Sequence, residues 1–250
     1  MFPETMRDVN AASRMPYQGR GLRVVQHLTY NGLTMDSRLS DLDAVFYPRS
    51  IAIVGASADP SKAGSKWVLG LRAAGFPGRL YPVSTRGGTL AGLNIAPSVS
   101  DIYDDIDYVI ASVPSQSVLQ LIDECIAKKA RFIQFFTAGF RETGSPQGAG
   151  LEREMLRRAQ RAGLRIIGPN CIGSYCPEGR IPLGPSAMGK LGLTGSTGFI
   201  SQSGGIAAKL VEYGIARDIH FSKGISVGNS LDLDASDFLE YLGHDEQTRA

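Results

Sequence analysis

Short apolar runs alternate with segments of helical periodicity from residue 44 to residue 173. Runs rich in β-branched and aromatic residues predict strands at 51–54, 79–83, 107–113, 131–136 and 164–167. Apolar residues at helical spacing predict helices between them, at 66–74, 115–126 and around 151–159, with Ser115 as the N-cap of the second. Strands separated by single helices indicate right-handed β-α-β units, and therefore an α/β fold with a parallel sheet.

A second α/β pattern follows a break in the periodicity. Residues 174–197 are rich in Gly, Pro, Ser and Thr and carry no sustained apolar period. Beyond them the pattern predicts a strand, a helix, a strand and a helix, at 198–201, 205–215, 221–227 and 235–242. Two parallel strands hardly bury a core of their own. We therefore expect this domain to be incomplete, or to be completed by another chain.

These patterns divide the chain into three parts. Residues 1–43 have no sustained apolar period and scattered charges, which predicts a flexible or partner-covering extension. Residues 44–173 form the first predicted α/β domain, and residues 174–250 form the incomplete second one.

Composition narrows the functional class. Of the 250 residues, 43% are hydrophobic, and 26 Lys and Arg against 24 Asp and Glu give a net charge of +2. This balance argues against a partner such as nucleic acid or an anionic membrane. No apolar run approaches the roughly 18 residues of a membrane-spanning helix, and the N-terminus lacks the apolar core of a secretory signal. Three cysteines without a zinc-site spacing indicate a reducing cytoplasm and no metal site.

Glycine is over-represented in this sequence. It accounts for 30 of the 250 residues, whereas its usual share is about 7%. They fall mostly at the ends of apolar runs, where loops of a parallel sheet hold ligands. In the first such loop, hydroxyls, helix N–H groups and a lysine form a candidate phosphate site; its residues are Gly55, Ala56, Ser57, Lys62, Gly64 and Ser65. The dinucleotide fingerprint G-x-G-x-x-G is absent there, and an ordinary β-α connector is the alternative.

The end of the second predicted strand argues against NAD. NAD-binding folds place a carboxylate there to bind the ribose 2′-hydroxyl. The candidate residues here are Val83, Ser84 and Arg86, and none of them is acidic. Hydroxyls and an arginine suit an additional phosphate, as in NADP or on the 3′-hydroxyl of coenzyme A.

Three further loops follow strands at the same predicted edge. They contribute Val113 with Pro114, Thr137 with Ala138 and Gly139, and Asn170 with Cys171. Small residues leave room for a ligand close to the backbone, although such loops are also normal connectors. The Asn170 side-chain amide can bind a ligand, whereas the Cys171 thiol is predicted to be buried and inert.

The second domain offers a candidate anion site where a strand meets a helix, at Ser201, Gln202, Ser203, Gly204 and Gly205. Hydroxyls, glycines and free N–H groups at a helix N-terminus favour a phosphate or carboxylate. Simple helix capping is the alternative interpretation.

The remaining polar candidates favour structural roles. His27, His220 and His244 have no evident base, acid or metal partner in the sequence, so we expect surface or capping roles. Asp232 and Asp234 precede a predicted helix, where acids are favoured by the helix dipole, although a cation site is the alternative.

Seven segments, taken in order, resemble the nucleoside-diphosphate-forming acyl-CoA synthetases, relatives of the succinyl-CoA synthetase α subunit. The resemblance covers about residues 41–250, and its segments are Leu42–Ser57, Val113–Pro114, Thr137–Phe140, Gly168–Cys171, Ser201–Gly204, Phe221–Asn229 and Asp237–Leu242. Seven matches in sequence order make this resemblance specific.

The resemblance implies a Rossmann-like CoA-binding domain followed by the first part of a flavodoxin-like ligase domain. Enzymes of this family convert an acid, CoA and a nucleoside triphosphate to acyl-CoA, nucleoside diphosphate and phosphate through a phosphohistidine. By the same resemblance, the candidate loops of the first domain line the CoA site. Residues Ser201–Gly205 then offer a helix N-terminus to the phosphohistidine.

One departure limits the resemblance. The family's phosphohistidine is followed by Thr-Gly or Ala-Gly, whereas His244 is followed by Asp245. We therefore expect this chain to bind CoA and a small carboxylic acid, and to need an ATP-grasp domain or subunit, with ATP or GTP and Mg, for ligation. Two alternatives stay open, a non-catalytic CoA or nucleotide sensor and an NADP-binding oxidoreductase fragment. The acid, the ADP or GDP preference and the oligomeric state are left open.

Overall fold

The computed structural model describes residues 35–185 and 191–249. Its helices are α1 (Met35–Phe46), α2 (Ala63–Ala73), α3 (Val118–Ala127), α4 (Pro146–Ala162), α5 (Gly204–Ala216) and α6 (Ala235–His244). Its strands are β1 (Ser50–Val54), β2 (Arg79–Val83), β3 (Thr89–Leu90), β4 (Leu93–Asn94), β5 (Tyr108–Ala111), β6 (Phe132–Phe135), β7 (Arg165–Ile167), β8 (Gly173–Tyr175), β9 (Thr194–Ser201) and β10 (Phe221–Ser226). The strands and helices predicted from periodicity are all confirmed, with shifted ends.

The larger sheet has five parallel strands in the order β2-β1-β5-β6-β7. Helix α2 packs with Ile51 and Ile53 of β1 on one face, and α3 and α4 pack with Ala52 on the other face. Both faces are thus covered, which explains the continuous apolar runs of these strands. The chain leaves β1 for β2 and then crosses to β5 on the opposite side. In open parallel sheets, such a reversal is where a ligand crevice is expected, here at the carboxyl ends of β1 and β5.

The second sheet has three strands in the order β8-β10-β9, with β10 parallel to β9 and antiparallel to β8. Strand β8 was not predicted, because Gly-Ser-Tyr is too short and too polar to form an apolar run. The sheet packs Tyr175, Phe199 and Phe221 together, with the two phenylalanine rings 5.2 Å apart. The additional strand supplies part of the core that two strands would lack.

Helix α1 corrects the expected start of ordered chain at Ala44. It begins at Met35, and its last turn buries Leu42, Val45 and Phe46. The Phe46 ring stacks on Tyr241 of α6, with ring centroids 5.1 Å apart. Met35, Leu39, Leu42 and Phe46 are spaced four, three and four residues apart, so the sequence does carry a helical period that the predicted extension overlooked. Residues 1–34 of the predicted extension lie outside the described residues.

Directly before β5, the buried carboxylate of Asp107 pairs with the exposed guanidinium of Arg49, and this ion pair should make stability depend on pH. The Arg49 guanidinium donates to both oxygens of Asp107, each at 3.0 Å, and these bonds lower the pKa of the Asp107 carboxyl. A carboxyl with a lowered folded-state pKa stabilises above its unfolded value of about 3.9, and this contribution is lost as the pH falls through the folded-state pKa.

We therefore expect Asp107→Asn to lower the free energy of unfolding at about pH 7, and we expect the deficit to shrink below about pH 4. Urea unfolding of the wild type and of Asp107→Asn at the two pH values measures this deficit. The exposed neighbour Asp105 provides a control, because Asp105→Asn should change stability little. A deficit of constant size across this range would contradict the prediction.

Candidate functional site

All the candidate residues of the first domain lie at one edge of the five-stranded sheet. They occupy the loops at the carboxyl ends of β1, β2, β5, β6 and β7, except that Val83 ends β2 and Gly64 and Ser65 lie in the first turn of α2. Neighbouring strands are about 4.8 Å apart, so this row of loops extends over roughly 19 Å from β2 to β7. An edge of this length suits an extended ligand that crosses several strands.

The loop after β1 is packed against both neighbouring strand ends. Gly55 has φ +95°, and its N–H donates to the carbonyl of Val83 at 3.0 Å, as does the N–H of Ala56 at 3.2 Å. A Cβ atom on Gly55 would lie 2.1 Å from the carbonyl oxygen of Ser112, and one on Gly64 would lie 2.2 Å from the carbonyl oxygen of Gly55. Only glycine fits both positions, because backbone from the strand end and the helix start meets here without side chains.

Within this loop the hydroxyls have separate roles. Ser65 is fully buried, and its Oγ donates to the carbonyl of Ser57 at 2.8 Å and accepts from the Ser57 N–H at 3.0 Å. It therefore supports the loop from inside, in contrast to the phosphate contact predicted for its hydroxyl. The Ser57 Oγ accepts from the N–H of Asp59 at 3.1 Å, and Lys62 is exposed directly before α2.

The loop after β2 carries a second exposed cation, Arg86. Ser84 donates its N–H to the carbonyl of Ala96 at 2.9 Å, and its Oγ accepts from the N–H of Arg86 at 3.4 Å. Val83 is buried, whereas Arg86 is exposed. Since β1 and β2 are neighbours, Lys62 and Arg86 belong to adjacent loops.

The loops after β5 and β6 are tied to each other. The Thr137 Oγ1 donates to the carbonyl of Val113 at 2.7 Å and accepts from the Val113 N–H at 3.3 Å. Pro114 and Ala138 are exposed beside this link. The predicted cap at Ser115 is wrong: residues 115–117 form a 3-10 turn, and α3 begins at Val118 without a side-chain cap.

Gly139, with φ +106°, exposes its backbone in the loop after β6. Its N–H donates to Glu142 Oε1 at 2.6 Å, and the N–H of Phe140 donates to the same carboxylate. Partial burial acts to raise the pKa of Glu142, but the hydrogen bonds from Asn229 and from these two N–H groups outweigh it and lower the pKa. Glu142 therefore holds the loop shape as an anion.

The loop after β7 turns sharply towards the second sheet. Asn170 has φ +56°, its N–H donates to the carbonyl of Thr137 at 2.9 Å, and its side chain is partly exposed. Cys171 is 2% exposed, and burial raises the pKa of its thiol to about 12. The predicted burial of the Cys171 thiol is confirmed.

The predicted anion site lies at the N-terminus of α5. Ser203 is its N-cap, with Oγ accepting from the N–H of Ile206 at 3.3 Å, and Ser201 Oγ donates to the carbonyl of Ser203 at 2.9 Å. Gly204 and Gly205 are the first two residues of the helix, so their N–H groups have no acceptor within it. Ser203 thus takes the capping role weighed as the alternative, while the free N–H groups keep the site suited to an anion.

The structure brings the end of the first candidate site and the second site together. A pocket of about 280 Å³ lies between the loop after β7 and the N-terminus of α5, and its lining residues are Phe136, Asn170, Cys171, Ile172, Gln202, Ser203, Gly204 and Gly205. The loops after β1 and β2 are not part of this pocket. Phe136 and Ile172 were not predicted as site residues, although each directly adjoins a predicted one.

The loop after β10 was also missed as part of the site. Its Gly228 N–H donates to the carbonyl of Gln202 at 3.1 Å, and Asn229 donates its N–H to the carbonyl of Pro169 at 2.9 Å. The Asn229 side-chain amide donates to both Glu142 and Glu152, each at 2.6 Å. Asn229 therefore joins the loop after β6 to the loop after β7, and Gly228 joins the same segment to the loop before α5. The motif Val227-Gly-Asn229 was visible in the sequence, but only the structure shows these partners.

The remaining polar candidates lie outside the pocket. Asp234 is the N-cap of α6 in a capping box with Asp237, which confirms the capping interpretation. Asp232 instead accepts from Arg165 Nε at 2.8 Å and so ties the second domain to β7. His220 Nε2 lies 3.0 Å from Asp218, an acid partner that was not predicted.

His244 ends α6 with its Nδ1 2.9 Å from the carbonyl oxygen of Glu240. His27 lies outside the described residues. Across residues 35–185 and 191–249, no group of three or more His, Cys, Asp or Glu side chains has a geometry that would hold a metal ion. Within the same ranges, no helix is long and apolar enough to cross a membrane.

Two sequence families match this chain. The family described as CoA binding domain matches residues 49–177, and the family described as succinyl-CoA ligase like flavodoxin domain matches residues 194–250. The two matches lie in the order that the resemblance implied. The Rossmann-like and flavodoxin-like fold expectation is confirmed.

Two curated proteins are similar in sequence to most of this chain. The chain is 39% identical to the alpha subunit of ADP-forming acetate–CoA ligase II of Pyrococcus furiosus, over 84% of this chain and 45% of that protein. It is 34% identical to the alpha subunit of ligase I of the same organism, over 84% of this chain and 46% of that protein. The chain thus spans about half the length of the curated relatives it matches.

A solved relative has a similar fold. It is the dinucleotide-forming acetyl-coenzyme A synthetase 1 of Candidatus Korarchaeum cryptofilum in complex with phosphate and ADP, 39% identical, with a TM-score of 0.76. The alignment covers 83% of this chain and 44% of that one.

Proposed function

We propose, from the premise that this chain belongs to the CoA-binding domain family, that it binds CoA along the edge of its five-stranded sheet as the α-type part of an acid–CoA ligase. One observation carries the proposal. Asn170, at the end of the predicted CoA site, and the N–H groups of Gly204 and Gly205 line the same pocket. A ligase that passes an acyl group from phosphate to a thiol needs a thiol site and an anion site side by side.

The exposed residues along the sheet edge favour one orientation of bound CoA, with its nucleotide half at β1 and β2. Lys62 and Arg86 are exposed in adjacent loops, which suits the phosphates of the nucleotide half. The exposed small residues Pro114, Ala138 and Gly139 leave space along the middle of the edge for the pantetheine chain. The thiol then reaches the pocket at Asn170.

The pocket residues support the transfer step through fixed dipoles. The N–H groups of Gly204 and Gly205, at the positive end of α5, stabilise phosphoryl oxygens while charge develops on them. In the step, the CoA sulfur bonds to the acyl carbon and the bond from that carbon to the phosphate oxygen breaks. Phosphate leaves with the electron pair and takes up the proton that the CoA thiol loses. Cys171 does not compete as a nucleophile, because its raised pKa keeps the thiol protonated.

The remainder of the reaction is assigned to other parts of the assembled ligase. The phosphoryl carrier would be a histidine other than His220 and His244, since neither of them lines the pocket. An ATP-grasp domain or subunit would supply the nucleotide chemistry with ATP or GTP and Mg, and the acid would be a small carboxylic acid. Three unpaired, buried cysteines support a location in the cytoplasm.

Titration with CoA and with NADPH tests the proposal and separates it from an oxidoreductase. At about 100 times its Kd, CoA should stabilise the folded chain by about 2.7 kcal/mol, whereas NADPH at the same concentration should do little. Stabilisation by NADPH alone would contradict CoA binding and favour the oxidoreductase alternative. A chain that no nucleotide stabilises would contradict both.

Lys62→Ala tests the nucleotide end of the site. Losing one charge-assisted contact should weaken CoA about tenfold and should weaken dephospho-CoA and pantetheine less. Isothermal titration of the three ligands measures the difference. Lys209→Ala, which removes the same charge from the exposed side of α5, is the control and should leave all three affinities unchanged. Equal losses for the three ligands in Lys62→Ala would assign Lys62 to loop support alone.

A further inference from the structure

The side-chain amide of Asn229 binds two acidic side chains that come from different elements. Its Nδ2 donates to Glu142 Oε2, in the turn before α4, and to Glu152 Oε1, within α4, each at 2.6 Å. Asn229 is 8% exposed and Glu152 is 3% exposed, so water contributes little to these contacts. An amide nitrogen has two hydrogens, and each carboxylate receives one of them.

Arg141 completes this cluster, which we call the Asn229 clasp and which consists of Arg141, Glu142, Glu152 and Asn229. The Arg141 guanidinium donates to the backbone carbonyl of Asn229, and its Nε lies 3.4 Å from Glu152 Oε2. A cation at this place reduces the repulsion between the two carboxylates. Both the backbone and the side chain of Asn229 are therefore bound to residues 141–152.

On the side of the proposed CoA site, the clasp fixes the loop after β6. Glu142 Oε1 accepts from the Gly139 N–H at 2.6 Å, while the other oxygen of the same carboxylate accepts from Asn229. A carboxylate that is held from both sides cannot follow a movement of Asn229 without releasing Gly139. The conformation of this loop therefore depends on the position of Asn229.

On the side of the anion site, the segment that carries Asn229 is bound to the loops of the pocket. The Asn229 N–H donates to the carbonyl of Pro169 at 2.9 Å, and the Gly228 N–H donates to the carbonyl of Gln202 at 3.1 Å. Gln202 Nε2 donates in return to the carbonyl of Gly228 at 3.4 Å. Gln202 directly precedes Ser203, the N-cap of α5. The position of Asn229 is therefore linked to the start of this helix as well.

From these contacts we propose that Asn229 is a positioning residue that couples CoA binding at the loop after β6 to anion binding at the N-terminus of α5. The inference rests on the proposed function, which supplies the two ligands. CoA that binds this loop favours the arrangement in which the clasp is closed, and the same arrangement fixes the loop before α5. An anion then finds its site already ordered, and by linkage it raises the affinity for CoA by the same factor.

The test is isothermal titration of the chain with pantetheine, without and with saturating inorganic phosphate. Pantetheine has no phosphate group, so inorganic phosphate does not compete with it for the nucleotide end of the CoA site. In the wild type, phosphate should tighten pantetheine binding about fivefold. In Asn229→Ala the pantetheine affinity should be the same without and with phosphate. Asn229→Asp should have the same effect, because a carboxylate of equal size has no hydrogen to donate.

A polarity reversal separates the hydrogen bonds from the shape of the site. Glu142→Gln and Glu152→Gln, added to Asn229→Asp, exchange donor and acceptor in both contacts of the clasp. Each glutamine keeps its oxygen on the existing donor, the Gly139 N–H or the Arg141 Nε, and turns its nitrogen towards the new carboxylate. The triple variant should regain at least a twofold effect of phosphate on pantetheine affinity.

The matched control is Lys223→Met, which breaks a buried ion pair with Asp245 and leaves the clasp intact. It should keep the fivefold effect of phosphate, although the protein is less stable. If the wild type binds CoA but phosphate has the same effect in the wild type and in Asn229→Ala, or the triple variant regains none, the coupling role is overturned and the proposed function stands. If CoA does not bind to the wild type, the proposed function fails.

Discussion

Replacing Gly55 by alanine is expected to destabilise the fold by at least about 3 kcal/mol and to abolish CoA binding. Two costs add at this position. The backbone has φ +95°, which an L-residue adopts only under strain, and the new Cβ would lie 2.1 Å from the carbonyl oxygen of Ser112. Relief of that clash would separate the ends of β1 and β5, where the candidate CoA crevice begins. Urea unfolding and CoA titration measure the two effects.

Alanine variants of two other glycines measure the backbone strain and the Cβ clash separately. Gly75 has φ +74° with open space around its missing Cβ, so Gly75→Ala carries the strain alone and should cost about 1 kcal/mol. Gly64 has no positive φ, but its Cβ would lie 2.2 Å from the carbonyl oxygen of Gly55, so Gly64→Ala carries the clash alone. Gly75→Ala should retain CoA binding, and Gly64→Ala should lose it. A Gly55→Ala protein as stable as Gly75→Ala would show that the clash is absent.

Replacing Lys223 by methionine is expected to cost about 3–5 kcal/mol of unfolding free energy. The side chain is 1% exposed within β10, and its Nζ donates to Asp245 at 2.8 Å and to Gln247 at 3.3 Å. The ammonium also lies 5.1 Å from the centre of the Tyr47 ring. Methionine keeps most of the volume but leaves the Asp245 carboxylate without its cation. Urea unfolding at neutral pH measures the loss.

Two variants show whether the unpaired charge causes this loss. In Lys223→Met with Asp245→Leu, both charges are gone, and much of the stability should return. Lys209→Met breaks an exposed pair with Glu212 and should have little effect.

Burial acts to raise the pKa of Asp245, but hydrogen bonds from Lys223 and Thr248 outweigh it and lower the pKa. The Lys223→Met deficit should therefore shrink as the pH falls below about 4. A double variant no more stable than the single one would contradict this account.

The succession of strands along the chain, and the loops that follow them, could be predicted from the sequence because they depend on local patterns. A run such as Ile51–Val54 is apolar on both faces only if helices cover both faces, which already predicts a parallel sheet. Once the strands are parallel, the residues after each carboxyl end must share one edge. That geometry placed Gly55, Val113, Thr137 and Asn170 together before any contact was known.

Two features had no local signal. Strand β8 has three residues without an apolar run. Ser65 has the residue type of a phosphate ligand, but its hydroxyl turns inward to Ser57 because the loop folds back over it. Each outcome depends on what packs against the segment, and sequence patterning does not report that.

The sequence by itself determined that this is an α/β protein and placed the candidate loops at one sheet edge and a candidate anion site at a helix N-terminus, since periodicity and loop composition are local properties. Only the tertiary structure decided that the two sites share a pocket, because their meeting depends on how the second sheet joins the edge of the first. The ion pair of Asp232 with Arg165 and the side-chain hydrogen bonds of Asn229 to Glu142 and Glu152 make that junction, and their partners are 67 to 87 positions away in the chain. Contacts over such separations arise from packing of the whole fold.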